Sequence, residues 1–392
     1  MESYKYLIVG GGMTADAAVR GIRKVDADGT IGLIGQEEDP PYNRPPLSKG
    51  LWKGKPIDTI WRGTADNGAT LHLGRRVTQV QPEARQVVDD KGGTYAYERL
   101  LLATGARPRR LDDDGEAVNY FRTARDYRAL RALADEGRSF VVIGGGYIGS
   151  EISAALAMND LRVTMIFPEA GIGGRLFPSD LAANLNDYYK EKGIDVVNGE
   201  AVSGVAADGE ERVVNLSGGQ ELRAGAVVAG IGVMPNTRLA VEAGLDVDNG
   251  IRVNARLQTS HSDIYAAGDV ASFENPLLGT RIRVEHEDNA NTMGEMAGRS
   301  MAGEAISYDH LPFFYSDLFD LGYEAVGQVD SRLDTYADWT EPFRKGVVYY
   351  LDQDRVRGVL LWNVWSQVDA ARQLIAEPGP FAPEALRGRL PR

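Results

Sequence analysis

Short apolar runs punctuate this chain, and two of them lead into the same sequel. Residues 6–19, YLIVGGGMTADAAV, and residues 140–153, FVVIGGGYIGSEIS, each open with a strand-like run, pass through three glycines and continue into a helical pattern rich in alanine. Gly10, Gly12 and Ala15 fit G-x-G-x-x-A, and Gly144, Gly146 and Gly149 fit G-x-G-x-x-G. In such a turn the first glycine makes the bend and the second lets a pyrophosphate approach the backbone. The third small residue lets helix and strand pack closely. The pyrophosphate then meets the free N–H groups at the positive end of the helix. One copy would carry little weight, because glycine turns join many strands to helices. Two copies in strand–helix context predict two dinucleotide-binding units.

Each copy has an acid near the end of its next strand. Glu37 lies in TIGLIGQEE (30–38) and Glu169 ends RVTMIFPE (162–169), the latter slightly beyond the strand end. An acid there binds the adenosine ribose. Residues 100–106, LLLATGA, read as a buried strand ending in a glycine turn, and residues 226–237, AVVAGIGVMPNT, repeat that form. Residues 259–271, TSHSDIYAAGDVA, make a further strand and turn that ends at Asp269. The simplest arrangement inserts the second unit into the first. The domains expected are therefore 1–110 with 246–310, then 111–245, then 311–392. From about residue 311 the pattern alternates, as in GVVYYLDQDRVRGVLLW, and predicts an antiparallel sheet. The closing stretch EPGPFAPEALRGRLPR is Pro-rich and reads as mobile or draped on the surface.

Composition narrows the chemistry. A length of 392 residues exceeds one ordinary core, and no apolar run approaches the roughly 20 residues of a membrane span. The strand pattern begins almost at residue 1, which leaves no room for a targeting peptide and makes the cytoplasm the expected compartment. There is no cysteine, so disulfides, thiolate metal sites, iron–sulfur ligation and dithiol catalysis are excluded. The four histidines, His72, His261, His286 and His310, are scattered, so no metal site is expected. A net charge of −13 opposes binding to nucleic acid.

The motifs resemble those of the two-dinucleotide flavoprotein reductases, in particular the ferredoxin-reductase branch that includes apoptosis-inducing factor. The resemblance rests on PPYNRPPLSKGLW (40–52), LLATGARPR (101–109), GGGYIGSE (144–151), IYAAGDV (264–270) and VEHEDNA (284–290). FFYSDLFDLGYEAVG (313–327) and GVLLWNVWSQVDAARQLI (358–375) look especially like apoptosis-inducing factor. The resemblance implies an α/β fold with two Rossmann-like domains, for FAD and NAD, and a small α+β C-terminal domain carrying an antiparallel sheet. It implies FAD contacts from Gly10, Gly12, Ala15, Glu37, Arg44, Lys49, Val77, Thr104, Gly105, Arg122, Asp269, Glu285, His286 and Tyr315. For NADH, with NADPH also admitted, it implies Gly144, Gly146, Tyr147, Ile148, Gly149, Glu169, Arg175, Gly232, Glu324 and Asn363.

Lys49 and Glu151 are the expected catalytic pair, because in the family these positions form an ion pair near the reactive flavin nitrogen. A lysine there stabilises charge on reduced flavin, and the glutamate holds the lysine. Three departures stand out. Tyr315 takes a place often held by tryptophan, and neither the presequence of the mitochondrial relatives nor their long C-terminal insertion is expected here. Arg122, Arg125, Arg128 and Arg131 recur every third residue, a spacing that drifts around a helix and reads as a solvated face. The function expected is hydride transfer from NADH to FAD, followed by electron transfer to a small redox protein such as a ferredoxin. A small-molecule acceptor, as in NADH oxidases and quinone reductases, and a slow NADH-sensing flavoprotein are the alternatives. The partner set admits a homodimer.

Overall fold

The computed structural model describes residues 1–112, 114 and 117–391. The chain divides into two compact units. The first contains Met1–Arg44, Ile57–Arg107 and Met234–Pro312; the second contains Pro45–Pro56, Pro108–Val233 and Phe313–Arg392.

In the first unit the apolar run of residues 6–9 is the buried end of the strand Glu2–Val9, which lies at the middle of a parallel array. Its neighbours are Ile31–Ile34 on one side and Thr94–Leu102 on the other, in registers Ile8↔Leu33 and Ile8↔Leu101. Ala69–His72 extends the array outward, and Ile264–Ala266 pairs with Thr94–Leu102. The central strands read as unbroken apolar runs because both faces are covered, as parallel sheets require. Gln86–Asp89 and Val77–Gln81 add an antiparallel arm. The helices Met13–Val25 and Glu287–Met301 cross at very short range. A Cβ on Gly298 would stand 2.1 Å from the Ala18 carbonyl oxygen, so only glycine allows this approach.

The second unit repeats the scheme. Its parallel sheet runs Asp195–Asn198, Val163–Phe167, Phe140–Ile143, Ala226–Ala229 and Val118–Tyr120. The expected C-terminal antiparallel sheet is present, with strands in the order Phe313–Leu318, Leu321–Gly327, Arg355–Trp362, Lys345–Asp352 and Asp334–Glu341. Aromatic packing ties the segment before the helix Ser179–Glu191 to the C-terminal sheet. Phe177 meets Tyr323 and Trp362 edge-on, and those two rings stack with centroids 5.6 Å apart.

Two sequence expectations are sharpened here. The Pro-rich tail is draped on the C-terminal sheet domain. Leu386 and Leu390 are buried, and the Gly388 amide donates to the buried Asp338 carboxylate over 2.7 Å. The arginine series is a solvated face only in part. The helix is Ala124–Asp135, so Arg122 precedes it. Arg125 and Arg128 are exposed, while Arg131 turns back to Asn159 and lies over the Trp52 ring.

Candidate functional site

The first glycine turn leaves the strand Glu2–Val9 at Gly10, whose φ of +135° favours glycine. A Cβ there would also stand 2.0 Å from the Ala103 carbonyl oxygen. Gly12 caps the helix Met13–Val25 and has no side chain to take a first-turn amide. A Cβ on Gly12 would have nothing nearer than the Arg44 guanidinium at 3.9 Å. Ala15 is fully buried where the helix meets the sheet. Glu37 sits beside this turn. One carboxylate oxygen accepts from the Tyr42 hydroxyl (2.7 Å) and the other from Arg44 (3.1 Å).

Other expected residues of this unit are held by partners that the sequence pattern does not reveal. Thr104 and Gly105 are clasped by Asn236, whose side chain donates to the Thr104 carbonyl (2.8 Å) and whose amide donates to that of Gly105 (2.9 Å). Asp269 lies in the short 3₁₀ turn Gly268–Val270. Arg283 donates to its backbone carbonyl (3.0 Å) and pairs with Glu285 (2.6 Å), tying two expected flavin contacts together. His286 is the N-cap residue of Glu287–Met301. Val77 contributes its side chain to the hydrophobic core.

Asp16, one residue beyond the fingerprint, is fully buried and accepts from Arg20 (2.9 Å), Arg62 (2.7 Å) and Thr64 (2.6 Å). Arg62 also donates to Asn43 and Asn291. Burial pushes the Asp16 carboxyl up, but the bonds from Arg20, Thr64 and Arg62 outweigh it and hold the group below its ordinary range.

The second turn leaves Phe140–Ile143 at Gly144, with φ +115°. A Cβ on Gly149 would stand 1.8 Å from the Gly144 carbonyl oxygen, whereas a Cβ on Gly146 would meet nothing within 4 Å. Gly146 caps Tyr147–Ala157 with no side-chain bond, so an open cradle lies before a free helix end. Tyr147 packs edge-on against Phe314, with centroids 5.1 Å apart, and Ile148 lies against Gly230. Glu169, two residues past the strand Val163–Phe167, pairs with the exposed Arg175 over 2.6 Å. Gly232 accepts the Arg109 amide (2.9 Å).

The expected pair is formed within the second unit. Lys49 Nζ stands 2.6 Å from Glu151 Oε1, and both side chains are largely buried. The Ser316 hydroxyl donates to the same oxygen (2.6 Å), and the Ser48 hydroxyl donates to the other (2.5 Å). Lys49 Nζ also lies 5.4 Å from the Tyr315 ring centroid. Directly across the sheet from Tyr315 is Glu324, whose Oε2 is buried without a hydrogen-bond partner among the described residues. Burial pushes the Glu324 carboxyl up, opposed by the Ser366 amide. The Asn363 side chain is committed to the backbone, accepting from the Gly322 amide (2.8 Å) and donating to the Arg344 carbonyl (2.9 Å). Arg122 gives its backbone amide to Asp126 (3.0 Å).

Two glycine cradles before two uncapped helix ends, each with an acid beyond the next strand, fit two dinucleotide pyrophosphates. That is the architecture of a flavoprotein working with a pyridine nucleotide. The pyridine nucleotide-disulphide oxidoreductase model matches residues 4–294, and the model for the C-terminal region of mitochondrion-associated apoptosis-inducing factor matches 297–342 and 336–377. The chain belongs to the pyridine nucleotide-disulphide oxidoreductase family. It is an FAD-dependent enzyme that oxidises reduced nicotinamide dinucleotide. It is 34% identical to apoptosis-inducing factor 1, mitochondrial, of Dictyostelium discoideum, over 96% of this chain and 79% of that protein. It is 35% identical to the ferredoxin–NAD(+) reductase component of the anthranilate 1,2-dioxygenase system of Burkholderia cepacia, over 98% and 97%. Among solved structures, putidaredoxin reductase in its covalent complex with putidaredoxin superposes with a TM-score of 0.91. It is 31% identical, covering 98% of this chain and 95% of that one. No helix among the described residues is long and apolar enough to cross a membrane.

Proposed function

We propose that this chain takes hydride from NADH onto FAD and delivers the electrons to a separate ferredoxin-type protein. Likeness to a ferredoxin reductase over 98% of the chain and 97% of the relative carries this reading. FAD, when bound, accepts the hydride and gives up electrons one at a time. These 392 residues hold no cysteine and so cannot themselves ligate the iron–sulfur cluster of the acceptor.

The chain's own residues bind and orient. Residues 1–110 with 246–310 form the FAD domain in this reading, 111–245 the NADH domain and 311–392 the C-terminal domain. Gly10, Gly12 and Ala15 admit the FAD pyrophosphate, and Glu37, steadied by Arg44 and Tyr42, takes the adenosine ribose. Asp269, Glu285, His286, Thr104, Gly105, Val77, Arg122 and Tyr315 complete that site. Gly144, Gly146, Tyr147, Ile148, Gly149 and Gly232 receive NADH, with Glu169 and Arg175 at its ribose and Glu324 and Asn363 towards the nicotinamide end. Lys49, held by Glu151, stabilises negative charge on reduced flavin.

The match of residues 297–342 and 336–377 to the apoptosis-inducing factor C-terminal model favours a second reading, a slow NADH sensor. Anaerobic reduction with NADH, followed by reoxidation with ferredoxin, quinone and oxygen in parallel, separates the two. Rapid, salt-sensitive ferredoxin reduction is expected. Slow turnover with all three acceptors and a long-lived NADH complex would favour the sensor.

A further inference from the structure

The carboxylate of Glu151 is held by more than its lysine. An ionised carboxylate only accepts hydrogen bonds, through about four lone-pair sites. Here three donors converge on it: Lys49 Nζ and Ser316 Oγ on one oxygen, each at 2.6 Å, and Ser48 Oγ on the other at 2.5 Å. The donors come from separate elements. Ser48 ends the 3₁₀ turn Pro45–Ser48 just before Lys49, and Ser316 lies in the strand Phe313–Leu318 just after Tyr315. Both serines and Glu151 are buried, so water does not substitute for a lost donor.

A single lysine would leave the carboxylate free to turn about its terminal torsion, which is broad for glutamate. A hydroxyl on each oxygen fixes the plane, and with it the side from which Glu151 draws the ammonium group. We propose that Ser48 and Ser316 are positioning residues. They lock Glu151, Glu151 locks Lys49, and the fixed cation sets the reduction potential of the flavin. Ser316 also makes the C-terminal sheet part of that control. This inference rests on the proposed role of Lys49 beside the flavin.

The test uses the FAD-loaded protein. Ser48→Ala, Ser316→Ala, the double variant and Lys49→Ala are compared by flavin midpoint potential and by NADH-driven flavin reduction under anaerobic conditions. Each serine variant is expected to slow reduction several-fold at saturating NADH with little change in KM. The double variant is expected to lower the reduced-to-oxidised ratio at fixed potential about tenfold, or about 30 mV for a two-electron couple. Ser48→Thr, which keeps the hydroxyl, restores the wild-type potential. In a Lys49→Ala background the serine substitutions leave the potential where Lys49→Ala put it, which a general packing defect would not do. Should the double variant keep the wild-type potential while Lys49→Ala shifts it, the serine roles are overturned and that of Lys49 stands. If Lys49→Ala shifts nothing, the lysine reading itself falls. Ser48→Ala alone suffices for the comparison if Ser316→Ala, at its fully buried position, does not fold.

Discussion

Arg62 Nε donates to Asp16 Oδ2 over 2.7 Å, with the Asp16 side chain wholly removed from solvent. The pair pins residues 62–64 to the helix that carries the first glycine fingerprint, and Arg62 extends the network to Asn43 and Asn291. Removing one partner of a buried pair leaves the other charge without compensation, which costs about 3–5 kcal/mol. Arg62→Ala should therefore lower the urea midpoint of the holoprotein substantially. Arg20 and Thr64 remain as partners for Asp16, so the loss belongs at the low end of that range.

The same aspartate carries a pH signature. Its folded carboxyl lies below the ordinary value, because its three donors outweigh burial. A depressed acid contributes stability that is complete above the unfolded pKa of about 3.9 and is lost as pH falls through the lower folded value. The stability difference between wild type and Asp16→Asn should thus be constant near neutral pH and shrink below about pH 4. Denaturation curves at pH 7 and pH 3 measure it. A gap that widens towards acid would refute the assignment.

Gly146 and Gly149 make a matched pair of tests. A Cβ on Gly149 collides with backbone at 1.8 Å, so Gly149→Ala should destabilise the fold itself. A Cβ on Gly146 meets nothing within 4 Å, so Gly146→Ala should cost no more than about 1 kcal/mol of stability, the ordinary loss of a poorer cap. That methyl group would nevertheless occupy the cradle proposed for the NADH pyrophosphate. Gly146→Ala is expected to raise the NADH dissociation constant at least about tenfold, or 1.4 kcal/mol, with FAD content unchanged. NADH titration of the purified holoprotein checks it.

Apolar periodicity and glycine spacing disclosed the two nucleotide units, because a buried parallel strand and a tight turn leave marks within a dozen residues. The Lys49–Glu151 pair spans 102 positions and was legible only through resemblance. Its serine partners were not legible at all. A hydroxyl reaching a carboxylate 165 residues away leaves no periodic trace. The same holds for Arg283 beneath Asp269 and for Asn236 clasping Thr104, since polar pairing is decided by tertiary register. Asn363 has the same kind of hidden partners: its side-chain amide bonds to the backbone at both ends, which its place in the motif does not reveal.

Glu169 and Arg175 bear on nucleotide choice. Unopposed, the glutamate would favour a ribose hydroxyl and repel a 2′-phosphate; the arginine at 2.6 Å offsets that repulsion. Glu169→Gln should release Arg175 to meet a phosphate and raise kcat/KM for NADPH about tenfold relative to NADH, within the range of a charge-assisted bond. Arg175→Ala should move the ratio the other way. Steady-state kinetics with both nucleotides decide it, and equal ratios in all three proteins would remove the pair from specificity.

Glu324 supplies the opposite pH sign to Asp16. Its carboxyl is raised by burial, and Oε2 has no hydrogen-bond partner among the described residues. A group raised on folding contributes stability below its unfolded pKa and loses that contribution as pH rises through the folded value. At neutral pH the charged form therefore works against the fold. Glu324→Gln keeps an acceptor for the Ser366 amide and removes the charge, so its Tm should exceed that of wild type at pH 8, with the gain disappearing near pH 4. If Glu324 also reaches the nicotinamide end, the more stable variant should bind NADH less tightly. A Tm gain without that loss would confine Glu324 to the fold, whereas equal melting curves at pH 8 would show that its charge is already compensated.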